Sequence, residues 1–410
     1  MLRQRTIFTG YPSNTFMLKV KKRSATLGFI DQVSEDTISG WSLAPYVIVL
    51  VNGRARCQLS CERQRADVKR AGHSLSGNVG FRGQLALQHG DIVRIVTPQG
   101  VPLRNSPWLY RNPRQSDWLP IAISHHHAEY DAIARLPDQL SVEKFKPLFG
   151  QSAERQMAGA VLNVANQAPV MARFDVEPKA HENVKQLYDN VIMPSRIAAP
   201  PLLEAISQDR HVIQIFAFQP GITLDKVGNG WEAWVPLVMA QLLTLQQAGE
   251  ARRSALRRRS SRFRSLLHRL FPSVFVQALR EGGGKLELTF FIFLMRVTAR
   301  LPRVLSHGDL HRNNVLIDTQ REQVALVDWD RWAYLPLGFD AALLLRGLPW
   351  VAVETLAEKR VDHQLGTLVF TYLFQCLDVA HFMRSEAATL LRARIYTLYE
   401  QFKLRPDTSQ

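Results

Sequence analysis

The sequence predicts a multidomain protein in which an all-β sandwich is followed by an α+β unit of two lobes. The chain has 410 residues, which is longer than most single domains. Short β-rich runs separated by turn residues fill positions 27–110, whereas long helical patterns follow the β-rich runs after Val142, as in α+β units. We therefore predict four parts: a β-sandwich over 25–112, a linker over 113–140, a small lobe over 141–220 and a larger helical lobe over 221–405.

The composition is that of a folded protein with a basic surface. Hydrophobic residues make up 46% of the chain and charged residues 21%, close to the averages of folded domains, which excludes large-scale disorder. The formal net charge is +15. Such a surface attracts anions, for example phosphates, nucleic acid or acidic lipid, but the charge alone does not identify the anion.

Cysteines and apolar runs indicate a protein of the cytoplasm. Cys57, Cys61 and Cys376 cannot form a disulfide framework, and no second pair completes a zinc site. The N-terminus lacks the apolar core of a secretory signal, and the longest apolar run, Leu288–Met295, is far shorter than the roughly 20 residues that cross a bilayer. We expect buried thiols, no transmembrane segment and a cytoplasmic location.

A hairpin pattern marks the β-sandwich. The β-rich runs Tyr46–Val51 and Arg54–Leu59 flank Asn52-Gly53, a dipeptide typical of two-residue hairpin turns. Further β-rich runs follow at short intervals, so an antiparallel sandwich is favoured. Trp41 follows a glycine in one such run, and we predict that it fills the interior of the sandwich.

The small lobe is predicted from β-rich runs around one helical pattern. The β-rich runs are Lys144–Phe149, Met157–Val164, Val170–Phe174 and His211–Phe218, and the helical pattern is Ala180–Val191. The rest of the chain reads as chiefly helical except around Val304–Val327. The second unit is therefore a β-rich lobe before an α-rich lobe.

Polar residues cluster where two apolar β-rich runs end, in the segment 304–330. Phosphoryl transfer needs an acid that orients a hydroxyl nucleophile, and oxygen ligands for magnesium ions that bridge the nucleotide phosphates. Asp309 and Asn314 lie five residues apart, and Asp328 ends the next β-rich run. The three side chains can face one cleft when the hairpin folds back, so the segment predicts a phosphoryl-transfer site.

The run from His307 to Leu316, HGDLHRNNVL, followed by Val327-Asp328-Trp329, resembles the aminoglycoside phosphotransferase and choline kinase family of kinase-like enzymes. The resemblance implies a bilobal protein-kinase-like fold for the second unit. It also implies ATP and Mg²⁺ as cofactors and a hydroxyl group as the acceptor.

The same resemblance implies a role for each polar residue of the motif. Asp309 would be the catalytic base, and Asn314 and Asp328 would be magnesium ligands. His307 would be a structural brace. Asp340 matches the buried acid that supports the catalytic loop through hydrogen bonds.

With fewer matching residues, the resemblance extends back to Val142 and implies contacts to the nucleotide. Gly150 and Ser152 match the turn that covers the phosphates. Ala217 and Phe218 lie in the connector between the lobes, whose backbone N–H and C=O groups would hydrogen-bond adenine.

The sequence departs from the family pattern on the third strand of the small lobe. The family has a lysine there that contacts the phosphates and pairs with a helix glutamate, whereas this chain has Arg173, with Glu182 as the predicted partner. Arginine keeps the positive charge, but its planar fork is not equivalent to an ammonium group. Two alternatives therefore stay open: an active kinase, and a degenerate pseudokinase that acts as a nucleotide-binding or membrane-tethering interaction protein.

Eight arginines lie between Arg252 and Arg269, and no acid lies between Ala251 and Arg280. Apolar residues in this stretch recur at helical spacing, so we predict an amphipathic helix over 252–271. Such a helix can dock on the larger lobe, hold an acidic substrate, or lie on the anionic inner face of the cytoplasmic membrane. Nucleic acid is disfavoured because no binding motif accompanies the charge.

The expected function is an ATP- and Mg²⁺-dependent phosphotransferase acting on a hydroxyl of a small molecule or saccharide. Landmarks of the sandwich such as Gly40-Trp41 and Gly80-Phe81 resemble a β-module found beside bacterial surface-polysaccharide enzymes, which suggests an acceptor of the cell envelope. The alternatives are the pseudokinase and an aminoglycoside-type antibiotic kinase. The latter is disfavoured because a cationic substrate would need a locally acidic pocket in a basic protein.

Overall fold

The structure is a computed structural model that describes residues 27–110, 112, 118–125, 130–149, 157–208, 210–256, 272–276, 285–379 and 381–404. The chain forms two compact units, Met1–Ala160 and Val161–Gln410. Gly150 and Ser152, the residues predicted to cover the phosphates, lie outside the described residues.

Two antiparallel four-stranded sheets form the β-sandwich of the first unit. The strands are β1 (Gly28–Val33), β2 (Thr37–Ser42), β3 (Tyr46–Val51), β4 (Arg54–Ser60), β5 (Arg63–Gln64), β6 (Asn78–Gln84), β7 (Ile92–Val96) and β8 (Trp108–Leu109). One sheet has the order β1-β2-β6-β5 and the other β4-β3-β7-β8. The predicted hairpin is confirmed, with Asn52 and Gly53 both at positive φ between β3 and β4.

Alternating burial along a strand shows which face of each sheet packs against the other sheet. In β3 the side chains of Val47, Val49 and Val51 point inwards, and they share a core with Ile30 and Phe81 of the other sheet. This is the periodicity of a strand with one buried face. The predicted all-β sandwich is confirmed.

The prediction that Trp41 fills the interior of the sandwich is wrong, because the adjacent Gly40 faces Phe81 in the core between the sheets and strand alternation turns Trp41 to the opposite face. The Trp41 side chain is buried against Val68 and Val79, and its ring stacks on His73 at a centroid distance of 5.5 Å. Val68 belongs to the short helix α1 (Ala66–Arg70), which covers this edge of the first unit.

The rest of the first unit contains β9 (Leu119–Pro120), α2 (Asp131–Ala134) and β10 (Val142–Phe149), and β9 pairs with β10 in antiparallel orientation. Strand β11 (Met157–Val164) continues from the first unit into the second. The strands predicted near 144 and at 157–164 are therefore confirmed.

The second unit begins with three antiparallel strands in the order β13-β14-β12. They are β12 (Val170–Val176), β13 (Leu202–Gln208) and β14 (His211–Ala217), and helix α3 (Pro178–Leu187) follows β12. Strand β13 was not predicted from the sequence. It is an edge strand whose side chains are mostly exposed, so it lacks the apolar run by which the other strands were found.

The larger part of the second unit is chiefly helical, as predicted. Its helices are α4 (Val235–Ala251), α5 (Lys285–Arg300), α6 (Phe339–Leu344), α7 (Trp350–Leu356), α8 (Val361–Asp378) and α9 (Glu386–Lys403). Its strands are β15 (Ile222–Thr223), β16 (Arg303–Ser306), β17 (Val315–Asp318), β18 (Gln323–Leu326) and β19 (Ala333–Pro336). None of the helices within the described residues is long and apolar enough to cross a membrane.

The prediction of an amphipathic helix over 252–271 is wrong for the first residues of that range. Helix α4 ends at Ala251, and residues 252–255 form a turn. Arg253 donates a hydrogen bond to the Arg303 carbonyl oxygen (3.2 Å) and covers the ring of Tyr334, while Leu256 is buried in the core. The first residues of the segment therefore pack against the second unit, through the contacts of Arg253 and the buried side chain of Leu256. Residues 257–271 lie outside the described residues, so the membrane contact stays a prediction.

At Gly366, helix α8 packs closely against the backbone of Leu337 and Gly338, the two residues that precede α6. A Cβ atom at Gly366 would lie 1.9 Å from the Leu337 carbonyl oxygen, and Gly338 at the same crossing has φ +90°. The close approach of two backbones therefore fixes where α6 starts, and α6 carries Asp340.

We predict that Gly366→Ala destabilises the protein by about 1–3 kcal/mol, the usual cost of overpacking, although Gly→Ala inside a helix ordinarily stabilises by roughly 0.5–1 kcal/mol. Urea unfolding measures the difference. Ala393→Gly, at an exposed position of α9, measures the effect of helix propensity alone. A stabilising Gly366→Ala would contradict the close crossing.

Candidate active site

The hairpin of β17 and β18 brings Asn314 and Asp328 to the same end. Val315 pairs with Leu326, and the N–H of Val327 donates to the Asn314 carbonyl oxygen at 3.0 Å. Asp328 then adopts a left-handed conformation with φ 66° and ψ 60°, which costs a non-glycine residue about 1–3 kcal/mol. The predicted convergence of these two side chains is therefore built by strand pairing.

Hydrogen bonds within the loop fix the position of Asn314 relative to Asp309. The Asn314 side-chain Nδ2 and the His311 backbone N–H each donate to the Asp309 carbonyl oxygen at 2.8 Å. Because Nδ2 is used in this way, Oδ1 is the amide atom that remains to bind a cation. A glycine is required at 308, where φ is +80° and a Cβ atom would lie 2.0 Å from the Arg331 carbonyl oxygen.

Asp340 anchors the start of this loop. Its carboxylate accepts hydrogen bonds from the backbone N–H groups of His307 (2.6 Å) and Gly308 (2.9 Å). Burial raises the pKa of Asp340 to about 6, and the two hydrogen bonds oppose the shift. These are the contacts that the supporting role predicted for Asp340 requires.

His307 joins the loop to the segment that follows strand β18. Its Nε2 donates to the Val327 carbonyl oxygen at 2.9 Å, and its ring lies 4.5 Å from the ring of Trp329. Burial lowers the pKa of His307 to about 4, although the hydrogen bond to Val327 opposes this. The imidazole is therefore neutral at physiological pH, which suits the brace predicted for this residue and not an acid or a base.

Asp309, the predicted base, is half-buried beside the imidazole of His311 and the guanidinium of Arg331. Its Oδ1 lies 3.3 Å from both His311 Nε2 and Arg331 Nη1. Burial raises the pKa of Asp309, but the hydrogen bond from His311 and the charge of Arg331 outweigh it, and the net direction is downward. The carboxylate is thus ionised at neutral pH and free to accept a hydrogen bond from a hydroxyl group.

Arg173 on β12 does not pair with Glu182, and this part of the prediction is corrected. Its guanidinium binds Asp330 through two parallel hydrogen bonds, Nη1 to Oδ1 at 2.7 Å and Nη2 to Oδ2. Nη1 also lies 3.4 Å from Asp328 Oδ1. Glu182 lies on the exposed face of α3, where water solvates its charge, whereas the half-buried Asp330 matches the planar fork of arginine.

Three carboxylates, from Asp309, Asp328 and Asp330, share the open side of the hairpin. Burial of Asp328 and the charges of Asp330 and Asp309 raise its pKa, although 46% of its side chain is exposed. The charge of Arg173 opposes this shift. Such a cluster attracts a cation. Arg173 supplies one positive charge from the neighbouring strand.

The donor set fits a magnesium ion that is shared with a nucleotide. Among the described residues, no three His, Cys, Asp or Glu side chains form a metal cluster. Mg²⁺ needs fewer protein ligands, because phosphate oxygens and water complete its shell. Asn314 Oδ1 and the Asp328 carboxylate would provide the two that the resemblance implies.

In the connector between the lobes, the backbone N–H groups of Ala217 and Phe218 are already hydrogen-bonded, which differs from the prediction. The N–H of Ala217 donates to the Pro201 carbonyl oxygen (2.9 Å), and the N–H of Phe218 donates to the Pro169 carbonyl oxygen (3.3 Å). These bonds extend the edges of the β-sheet. The predicted N–H contacts of Ala217 and Phe218 to adenine are therefore not available without breaking them, and only the carbonyl groups can serve.

Asp330 and Arg331 are site residues to which sequence reasoning gave no role. Asp330 binds Arg173, and Arg331 contacts Asp309. The sequence signal for Asp330 is the second acid of Asp328-Trp329-Asp330, two residues after the predicted metal ligand. Its partner lies 157 residues away on another strand, so the pairing itself had no local signal.

Residues 180–376 match the model of the phosphotransferase enzyme family. This match confirms the predicted resemblance. It also confirms the predicted class of enzyme, a phosphotransferase. The matched stretch contains Asp309, Asn314, Asp328 and Asp340, whereas Arg173 precedes it. A search of curated protein sequences found no match.

Several solved structures are similar to the chain at low identity. An aminoglycoside phosphotransferase from Alicyclobacillus acidocaldarius is 12% identical over 67% of this chain and 96% of that one, with a TM-score of 0.41. An aminoglycoside-3'-phosphotransferase of type VIII is 16% identical over 68% and 100%, with a TM-score of 0.35. A choline kinase from Cryptosporidium parvum is 12% identical over 69% and 95%, with a TM-score of 0.35.

We predict that Asp340→Asn changes the pH dependence of stability. Between pH 4 and 6 the fold favours protonated Asp340, which makes stability fall as pH rises, and neutral His307, which makes stability rise with pH. In the wild type the two effects oppose each other. Without Asp340, the free energy of unfolding should gain on the order of 2 kcal/mol over this range relative to the wild type.

Urea unfolding at pH 4.5, 5.5 and 6.5 measures these slopes. His307→Gln leaves only the Asp340 effect and should give the opposite slope. Equal slopes in the wild type and both variants would contradict the assigned protonation states.

Proposed function

We propose that the chain is an ATP- and Mg²⁺-dependent phosphotransferase that phosphorylates a hydroxyl of a small molecule or saccharide. The convergence of Asp309, Asn314 and Asp328 on one side of the β17–β18 hairpin carries the proposal. Asp309 is ionised, Asn314 has Oδ1 left for a cation, and Asp328 is a carboxylate whose side chain is 46% exposed. The family match supports the class of reaction.

Each residue has a distinct task in this proposal. Asn314 and Asp328 would hold Mg²⁺, which neutralises charge on the phosphates when it is bound. Asp309 orients the acceptor hydroxyl and receives its proton, and Arg331 and His311 hold the carboxylate in place. Asp340 and His307 keep the loop in the conformation that makes this possible.

A cell-envelope saccharide is the acceptor that we propose. Its support is the analogy between the N-terminal sandwich and modules that accompany surface-polysaccharide enzymes, which is an argument from fold alone. The net charge of +15 also suits an anionic acceptor. A location in the cytoplasm, with contact to the inner membrane face through residues 257–271, belongs to the same proposal.

The pseudokinase is a second candidate, and one observation favours it. Arg173 is bound to Asp330 and close to Asp328, so its charge is engaged by carboxylates and not directed to a phosphate. A nucleotide that needs this charge must compete with Asp330 for it. The two candidates differ in turnover, not in nucleotide binding.

We predict that Mg-ATP raises the melting temperature and that Asp328→Asn weakens this effect, because a charged metal ligand is lost. Asp309→Asn should bind Mg-ATP within a few-fold of wild type but lose most turnover, since the base contacts the acceptor and not the nucleotide. Thermal shift and ATP consumption with an acceptor panel measure the two effects. The exposed Glu400→Gln on α9 removes the same charge elsewhere and is the control.

No magnesium-dependent thermal shift in the wild type would overturn the nucleotide site. Turnover of Asp309→Asn within a few-fold of wild type would show that another group is the base.

We predict that Arg173→Lys lowers kcat/KM for ATP by roughly tenfold or more, because an ammonium cannot make two parallel bonds and a hydrogen bond to a charged group contributes about 1.5–3 kcal/mol. Steady-state kinetics and calorimetry of Mg-ATP binding separate the catalytic effect from the binding effect. Asp330→Asn changes the other partner of the Arg173–Asp330 ion pair and should weaken that pair similarly.

An unchanged kcat/KM in Arg173→Lys would show that the guanidinium has no specific role. Wild-type binding of Mg-ATP without turnover on any acceptor, not restored by Arg173→Lys, would favour the pseudokinase.

A further inference from the structure

An exposed face of the second unit combines apolar and basic side chains from two neighbouring helices. Helices α5 and α9 pack side by side, and the ring centroids of Phe293 and Tyr396 lie 4.3 Å apart. Three large apolar side chains at this junction nevertheless remain between 42% and 47% exposed. They are Ile292 and Met295 of α5 and Tyr396 of α9. We call the surface that they form with Arg296, Arg300 and Lys403 the α5–α9 face.

Helical spacing places these side chains on one surface. Residues three and four positions apart are neighbours on a helix. Ile292, Met295 and Arg296 are related in this way, and Arg300 lies one turn after Arg296. The buried residues of α5, such as Leu294, point to the opposite side and into the core. The exposed apolar side chains are therefore additional to those that the fold of this unit needs.

The α5–α9 face is positively charged. Arg300 and Lys403 each place their cationic group over the ring of Tyr399, at 5.9 and 5.2 Å from its centroid, which suits a cation–π contact. Lys403 also pairs with Glu400, with a distance of 2.6 Å between Nζ and Oε2. Arg296 is exposed, and it forms no ion pair within the part of the chain that the structure describes. The three cations thus outnumber the acid that is paired with them.

The arginine-rich stretch of the chain leads to one edge of this face. Residues 272–276 are helical, and the ring of Phe275 lies 6.0 Å from the ring of Phe291 on α5. Val276, beside Phe275, is exposed. Six arginines lie in the sequence 257–271, directly before these residues. Chain continuity therefore brings the end of this basic stretch to the Phe275 edge of α5.

The combination of charge and apolar surface favours one kind of partner. A second copy of the chain would place Arg296 and Arg300 against the same residues of its partner in a two-fold interface, and like charges repel. A nucleic acid backbone would contact the cations but would leave Ile292 and Met295 without a role. An acidic bilayer surface uses both, because apolar side chains enter the boundary of the acyl chains while basic ones stay at the head groups.

We propose that the α5–α9 face binds the acidic surface of a lipid bilayer. Ile292 and Met295 enter the boundary between head groups and acyl chains, and Arg296 contacts anionic head groups together with Arg300 and Lys403. The inference rests on the membrane location given under the proposed function and assigns it to residues that the structure describes. It does not involve the phosphotransfer reaction.

Co-sedimentation of the full chain with lipid vesicles tests this proposal. One set of vesicles contains phosphatidylcholine alone, and the other contains phosphatidylcholine with phosphatidylglycerol. We expect the wild type to bind the acidic vesicles more tightly, and less so as salt is raised. Arg296→Gln should weaken binding to acidic vesicles by about fivefold. The double substitution Ile292→Ser and Met295→Ser should weaken it by about tenfold or more.

Two control variants make the same kinds of change outside the face. Leu75→Ser and Arg56→Gln replace exposed side chains of the first unit and should bind like the wild type. All substituted side chains are exposed, so the variants should stay folded, which thermal unfolding checks. ATP turnover without vesicles should equal that of the wild type, because none of these residues belongs to the catalytic loop or to the predicted metal ligands.

The proposal would be overturned if the wild type bound neither set of vesicles, or bound both equally. Wild-type binding of acidic vesicles by the double variant and by Arg296→Gln would assign the contact to residues 257–271 alone and would also overturn it. The vesicle measurements contain no nucleotide. A failure of lipid binding with intact turnover therefore counts against this inference alone, and a loss of turnover with intact lipid binding counts against the phosphotransferase alone.

Discussion

The candidate site depends on one buried carboxylate. Asp340 accepts the backbone N–H groups of His307 and Gly308, and these two residues begin the loop that carries Asp309. A buried acid stays in place only if its hydrogen bonds are made, and these two tie it to the loop. The close crossing at Gly366 fixes the start of α6 and thereby the position of Asp340. The packing of α8 at Gly366 thus positions Asp340, and Asp340 in turn fixes the geometry of the loop.

A second constraint links β12 to the same loop through charge. Arg173 comes from the strand, and Asp328 and Asp330 come from the segment that follows β18. A planar guanidinium held by two parallel bonds restricts both distance and orientation, which a flexible ammonium would not do. The substitution of arginine for the family's lysine therefore changes the geometry of the site as well as its charge. This is why the two candidate functions diverge at this residue.

The sequence was informative where chemistry and spacing are local. Asp309, Asn314 and Asp328 lie close together in sequence around the β17–β18 hairpin, so local spacing predicts that they share one site, and the sandwich was predicted from short β-rich runs separated by turn residues such as Asn52-Gly53. It failed where the partner is distant or the signal is weak. The Arg173–Asp330 pair joins residues far apart in sequence, the exposed strand β13 has no apolar run, and the engaged N–H groups of Ala217 and Phe218 depend on strand edges that only the fold defines.

The charges of the site explain why nucleotide and divalent cation should bind together. Asp309, Asp328 and Asp330 contribute three negative charges, and Arg173 and Arg331 contribute two positive charges in contact with them. The site itself is therefore slightly negative and repels a free triphosphate, even though the whole chain is basic. A divalent cation would reverse that local sign, and Asp328 is the carboxylate with the most to gain, because burial, together with the charges of Asp330 and Asp309, raises its pKa against the opposing charges of Arg173 and Arg331. The general basic surface can then concentrate anions near the cleft, while a metal held by Asn314 and Asp328, as we propose, would be needed for the triphosphate to enter the site.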